Sequence, residues 1–208
     1  MHYYTRDGVS RHEVVGANGK IRPTTIADAR KLLLVTSVTT VMDILAKQAL
    51  IVWIQNQIVD AAVLHPYHPD EWDLVDYKKF ILDESRKIGR QAAEKGTDIH
   101  NRLDQYFITK KIPKTDAVYI NPVLECLAST FGSGVEWVSE EGFAHQDGFG
   151  GRVDLHSKTH SIIVDFKTKD KDDISAVKAY DDHKIQLAAY QVGLKLPDNT
   201  KRYNLFIS

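Results

Sequence analysis

Asp154, Asp165 and Lys167 are the residues whose types and spacing best suit chemistry on a phosphate. They lie in two segments, Gly150-Gly151-Arg152-Val153-Asp154-Leu155-His156 and Ser161-Ile162-Ile163-Val164-Asp165-Phe166-Lys167-Thr168, joined by a short turn containing Lys158, Thr159 and His160. A hairpin closing symmetrically on that turn sets Asp154 opposite Asp165. Directly opposed residues on an antiparallel pair hold their Cβ atoms about 4.5–5.5 Å apart on one face. Lys167, two residues beyond Asp165, projects to that same face because strand side chains alternate with period two. Opposed carboxylates repel, so either one takes up a proton or a cation sits between them. Hard carboxylate oxygens, with water and phosphate at the other positions, suit Mg²⁺ or Mn²⁺, and the lack of a His/Cys cluster argues against zinc. The plain alternative is an exposed sheet face on which both aspartates pair with Arg152 and Lys167. An isolated Asp-x-Lys arises often by chance.

Further candidates flank this hairpin. Gln186 and Tyr190 stand at i and i+4 on one face of an expected helix, a pair of hydrogen-bonding tips or ordinary boundary residues, while Leu187 and Val192 are expected to turn toward the sheet. His100 follows Gly96-Thr97-Asp98-Ile99 and precedes Asp104 by one helical turn, a spacing that could orient its imidazole. A partly buried structural histidine has the same appearance.

The elements that must position these residues follow from the wider pattern. With 208 residues, 43% hydrophobic and 26% charged, the chain is long enough for one domain with a real core, and we expect a single domain over 1–208. The longest apolar run, Ala49 to Ile54, is far short of the roughly 20 residues of a membrane span. No basic-then-apolar leader opens the chain, so a cytoplasmic place is expected, with a mitochondrial one left open. A single cysteine, Cys126, fits a reducing compartment and cannot hold a zinc or an iron–sulfur cluster. The formal charge of −1 gives no global footprint for nucleic acid, although basic residues outnumber aspartates between Arg152 and Arg202.

Residues 1–30 read as an irregular or hairpin-like lead-in with a turn at Asn18-Gly19. Ser37 caps a helix carrying Val38, Val41 and Leu45, and a second helix carries Leu50, Trp53, Ile54, Ile58 and Ala61. After the break at His65-Pro66-Tyr67-His68-Pro69, two or three helices interrupted by Gly89 and Gly96 are expected over about 71–107, and a short one over 122–131. Strands follow at about 135–144, 149–156 and 161–168, then a helix over 181–194 and a strand over 202–207. The expected class is therefore α/β, in its α+β form: a helical portion over about 35–131, then a small mixed sheet and helix over 135–208.

Gly96-Thr97 with His100, Glu140, Gly150-Gly151-Arg152-Val153-Asp154, Asp165-Phe166-Lys167, and Gln186 with Tyr190 occur in the order of the PD-(D/E)XK nuclease superfamily, RecB-like branch. Over about residues 35–208 the chain resembles phage and mitochondrial genome maintenance exonucleases most. The resemblance implies a restriction-endonuclease-like core, with His100, Asp154 and Asp165 as metal ligands, Lys167 as the motif lysine, and Gln186 and Tyr190 as the glutamine–tyrosine motif. Glu140 ranks as the extra acidic residue ahead of Glu141, which alternation sends to the other face. The iron–sulfur members of the branch need four cysteines, so that cluster is excluded.

As a nuclease, the chain would bind one or two Mg²⁺ or Mn²⁺ ions, with the Phe166 carbonyl as a further ligand and Arg152, Gln186 and Tyr190 on the DNA. The partner expected is DNA, preferably single-stranded, and no membrane. Helices arching over the sheet would admit a strand by its end, with Tyr180, Tyr190 or Trp137 stacking on bases, so a sequence-tolerant exonuclease is expected. The alternatives are a non-catalytic nucleic-acid-binding module of the same fold, a structure-specific endonuclease, and a hydrolase of nucleotides or other small phosphates.

Overall fold

The turn after Ser157 closes symmetrically, Ser161 donating its N–H to Lys158 O at 3.4 Å. The strands on either side pair as Ser157↔Ile162, His156↔Ile163 and Leu155↔Val164, the register the sequence implies. The computed structural model describes residues 1–45, 48–169 and 177–208. In chain order it contains β1 (Tyr3–Tyr4), β2 (Glu13–Val15), β3 (Ile21–Pro23), α1 (Ile26–Lys31), β4 (Val35–Ser37), α2 (Val38–Met42), α3 (Gln48–Leu64), α4 (Leu74–Thr109), α5 (Ala117–Phe131), β5 (Val138–Ala144), β6 (Phe149–Ser157), β7 (Ile162–Thr168), α6 (Asp181–Gly193) and β8 (Lys201–Ile207). The class is mixed α and β around a mixed central sheet. Two compact units divide the chain, one of Met1–Leu45 with Ile99–Ser208 and one of Ala46–Asp98.

In the first unit the sheet runs β1-β4-β6-β7-β8, with β5 also beside β6. β5 lies antiparallel along one edge of β6, from Ala144↔Gly150 to Val138↔His156. The other edge is shared. β4 pairs with its start in parallel, at Thr36↔Phe149 and Ser37↔Gly150, and β7 pairs with its end. Between those two contacts, among the described residues, β6 has no strand on that edge, and the sheet forks. One sheet face buries Leu155, Ile162, Val164 and Phe166 against Ile99, Leu103 and Phe107 of α4 and Ile120, Val123 and Leu127 of α5. The other buries Phe143, Val153 and Ile163 against Val38 and Met42 of α2 and Leu187 and Tyr190 of α6.

Several expectations are corrected. Residues 1–30 are more than a lead-in, because β1 joins the central sheet by pairing with β4, although the hairpin at Asn18-Gly19 does form as β2 and β3. Ser37 caps α2 by accepting the Thr40 N–H at 3.1 Å, but the helix ends at Met42, before Leu45. Pro122 lies inside α5, which starts five residues earlier than expected. α4 is one continuous helix through Gly89 and Gly96. A single helical glycine costs only about 1 kcal/mol, and at Gly89 the missing side chain makes room for Trp53, whose ring would stand 3.3 Å from an added Cβ. That contact lies in the second unit, where the Trp72 ring also stacks on Phe80 at 5.1 Å and the Tyr77 hydroxyl donates to His65 O at 2.9 Å. Among the described residues no helix is long and apolar enough to cross a membrane.

Candidate active site

The β6–β7 register extends by one residue to bring Asp154 level with Asp165, and the β5–β6 pairs Ser139↔Leu155 and Glu141↔Val153 bracket Glu140 level with Asp154. Three acids thus stand in one row across three adjacent strands. The ladder lapses at this row. Glu140 adopts φ 55°, a left-handed conformation that costs a non-glycine residue roughly 1–2 kcal/mol, and the Asp154 carboxylate accepts the Phe166 N–H at 2.7 Å where a strand carbonyl would otherwise serve.

The lapse reverses the faces of the sheet. Val153 packs with α2 and α6 while Leu155 packs with α4 and α5, although they are two residues apart and regular alternation would place them together. The same reversal occurs on β5, where Ser139 donates to Asp104 of α4 at 3.1 Å and Phe143 packs on Tyr190 of α6. Asp154 sits at the crossover. His100 of α4 therefore reaches it from one side, Nδ1 to Oδ1 at 3.5 Å, while the Asp165–Lys167 pair meets α6 on the other. Asp104, expected to orient His100, is given to Ser139 instead.

Asp165 is buried, and its Oδ2 lies 2.5 Å from Lys167 Nζ as an ion pair, without a hydrogen bond of correct direction among the described residues. Lys167 donates to Gln186 Oε1 at 2.9 Å, and Gln186 Nε2 donates to the Tyr190 hydroxyl at 2.7 Å. Gln186 and Tyr190 are buried themselves, so their polar tips are turned to the lysine and not to solvent. Leu187 faces the sheet as expected, whereas Val192 is exposed, off the buried face formed by His183, Gln186, Leu187, Tyr190 and Gln191.

Electrostatics follow from this crowding. Burial, then the charge of Asp154, pushes the Asp165 carboxyl up to about 6 against the pull of Lys167 and His100. Burial also pushes Glu140 up to about 7, with Asp154 and Asp104 adding to it and outweighing the ion pair that Arg152 Nε makes with its carboxylate. Burial works against a charged His100, but the hydrogen bond and charge of Asp154, with Asp165 behind it, raise its pKa overall. Glu141 belongs to a different group, bonded to His156 Nε2 at 2.6 Å and Lys158 Nζ at 2.9 Å. Arg152 is half-exposed beside the row, and Lys171, among the basic residues between Arg152 and Arg202, lies outside the described residues.

Among the described residues no three His, Cys, Asp or Glu side chains converge as a ready-made metal cage. A small hard cation does not require one, because Mg²⁺ keeps several waters and takes one or two carboxylates. Two level carboxylates, the Asp165 one shared with Lys167, match the one or two that such an ion takes. Phe166 presents its N–H to Asp154, and since a strand residue's N–H and C=O point to the same edge, its carbonyl also faces the lapse in the ladder.

Glycines 150 and 151 belong to the site by what they leave out. A Cβ on Gly151 would stand 3.0 Å from the Phe143 ring and from Tyr190 Cε1, and one on Gly150 would stand 2.9 Å from Val35 Cγ2 and 3.2 Å from Tyr4 Cβ. Tyr4 is the neighbour that sequence reasoning missed. A two-residue strand in a polar lead-in carries no periodicity, and its placement depends on pairing with β4. No family model, curated protein or solved structure matches this chain.

Proposed function

We propose that the chain is a divalent-metal-dependent nuclease hydrolysing phosphodiester bonds in DNA, with the restriction-endonuclease-like core of the PD-(D/E)XK superfamily that its motifs resemble. The observation that carries this reading is Lys167, held between Asp165 and Gln186 beside the level pair Asp154 and Asp165. A lysine clamped on two sides beside paired carboxylates is poorly explained as a solvated sheet face.

Asp154 and Asp165 would hold Mg²⁺ or Mn²⁺, with His100 and the Phe166 carbonyl as the other protein donors. Bound there, the ion supplies a Lewis acid for the phosphate oxygens and a means of activating water. Lys167 places an ammonium where negative charge grows on the phosphate, favouring the transition state over the ground state. Gln186 and Tyr190 fix its direction, which matters because a 1 Å misplacement can cost about 10²-fold in rate. Glu140, with a carboxyl near 7, exchanges a proton readily at neutral pH. Arg152 is near enough to the row to meet a phosphate. Preference for single strands and for ends is part of the proposal and is supported by the motif resemblance.

The test is a digestion series on end-labelled DNA with Mg²⁺, Mn²⁺ or EDTA, using one single-stranded molecule as a closed circle and after linearisation. Degradation of the linear form alone supports the exonuclease, and rapid nicking of the circle makes it an endonuclease. Phosphate release from mononucleotides without DNA cleavage would replace the nuclease by a small-phosphate hydrolase.

A further inference from the structure

We propose that His2, His12 and Tyr4 form a stacking platform for a nucleobase of a single-stranded chain whose phosphate lies at the acid row. The proposal rests on the nuclease reading and adds a base-side subsite to it. The imidazoles of His2 and His12 are stacked, centroids 4.4 Å apart and planes 24° from parallel, and Tyr4 meets His12 edge-on at 5.2 Å. Backbone hydrogen bonds anchor both histidine positions. His12 Nδ1 accepts the Tyr3 N–H at 3.3 Å, and the His2 N–H donates to Thr40 Oγ1 at 3.2 Å. His2 is exposed, so the stack ends on a ring open to solvent.

The stack stands next to the site by strand order and by contact. Tyr4 lies on β1, paired with β4, which forms one arm of the fork that Asp154 borders, and its Cβ closes over Gly150. The following loop crosses β5 where Gly8 and Gly142 meet backbone to backbone, with a Cβ on Gly8 falling 2.8 Å from Gly142, and Gly142 is the ladder partner of Arg152. The N-terminal segment is therefore a wall beside Arg152 and Glu140.

Its chemistry suits a base. Burial lowers both imidazole pKa values, helped at His2 by the N-terminal ammonium against the pull of Asp43 and at His12 by His2 and Arg152, so both rings favour the neutral form. Neutral π faces take any base without reading sequence. A metal pair does not fit, because stacked rings do not converge their lone pairs and His12 Nδ1 already accepts a hydrogen bond. Two rings that the sequence offered for stacking are packed instead, Tyr190 in the core and Trp137 edge-on to Phe131 at 5.6 Å.

The experiment titrates the protein in Ca²⁺ with ten-nucleotide single-stranded DNAs carrying 2-aminopurine at each position in turn, beside an abasic oligomer of the same length. Wild type is expected to quench one register. His2→Ala should lose that quench and weaken binding about five- to tenfold, His2→Phe should retain both, and the abasic oligomer should bind wild type and His2→Ala alike. Equal weakening on abasic and base-bearing oligomers would make His2 a charge contact and overturn the platform, as would no change on either. The titration needs no turnover. Quenching without cleavage in Mg²⁺ would sink the nuclease and keep the platform, and cleavage with unaltered His2→Ala binding would do the reverse.

Discussion

Val153 and Leu155 stand two residues apart on β6 and pack into opposite faces of the sheet. Asp154 lies between them, at the point where β6 changes the face it shows, with His100 of α4 on its carboxylate and with Asp165, level with it, paired to the lysine that α6 holds. An uninterrupted strand would keep Val153 and Leu155 on one face and leave Asp154 wholly on the other. The left-handed Glu140 opposite and the fork between β4 and β7 are the backbone features that permit the change.

Crowding three acids in one row makes stability depend on pH in a definite direction. A carboxyl whose pKa is raised on folding binds its proton more tightly in the native state, so stability falls as pH rises between the two values. For Asp165 the window runs from 3.8 to about 6, and for Glu140 from 4.5 to about 7. In EDTA, urea unfolding between pH 4 and pH 7.5 should show wild type losing on the order of 2 kcal/mol per group relative to Asp165→Asn and Glu140→Gln. Variants that run parallel to wild type across that range would refute the assignment of strain to these carboxyls.

Asp165→Asn should abolish cleavage while the protein stays folded. In EDTA at pH 7 its melting temperature should equal or exceed that of wild type, because one of two opposed charges is gone. Added Mg²⁺ should raise the melting temperature of wild type and not of the variant, since metal bound only by the native state stabilises it. A wild-type cleavage rate in Asp165→Asn would sink the site assignment.

The parts of this site that sequence reveals are those set by local geometry. A four-residue turn fixed the Asp154–Asp165 register, i and i+4 spacing joined Gln186 to Tyr190, and alternation separated Glu140 from Glu141. What stayed hidden depends on distant partners. β1 and β4 are two and three residues long, β1 taking its place from β4 and β4 from the distant β6. The face reversal is equally silent, because Glu140 occupies a left-handed position where glycine or asparagine would have signalled a kink. Glycine misled the reading of α4, whose Gly89 serves packing against Trp53.

Gly151→Ala tests the packing behind the lysine. The new methyl would stand 3.0 Å from the Phe143 ring and Tyr190 Cε1, tighter than ordinary contact, and overpacking of this kind costs about 1–3 kcal/mol. Displacement of Tyr190 should also disturb Gln186, so the cleavage rate is expected to fall beyond what the loss of folded protein explains. Measuring both at a temperature where the variant is fully folded separates the effects. A destabilised protein with unchanged turnover would confine Gly151 to the core.

Lys167, Gln186 and Tyr190 form a graded series, because each acts through the one before it. Lys167→Ala removes the ammonium and should cut single-turnover cleavage by orders of magnitude, while affinity for DNA in Ca²⁺ changes little if the charge works mainly in the transition state. Gln186→Ala keeps the charge and loses its direction, and it also leaves the Tyr190 hydroxyl without the amide, so an intermediate loss confined to kcat is expected. Tyr190→Phe keeps the ring that packs on Phe143 and removes only the acceptor for Gln186 Nε2, which should cost least, about 1 kcal/mol or several-fold in rate. Combining Lys167→Ala with Gln186→Ala should cost hardly more than Lys167→Ala alone, since an aligned group has no effect once the group it aligns is gone. Full additivity in that double variant would show that Gln186 acts on the substrate directly, and equal losses of affinity and rate in Lys167→Ala would reduce the lysine to a phosphate contact.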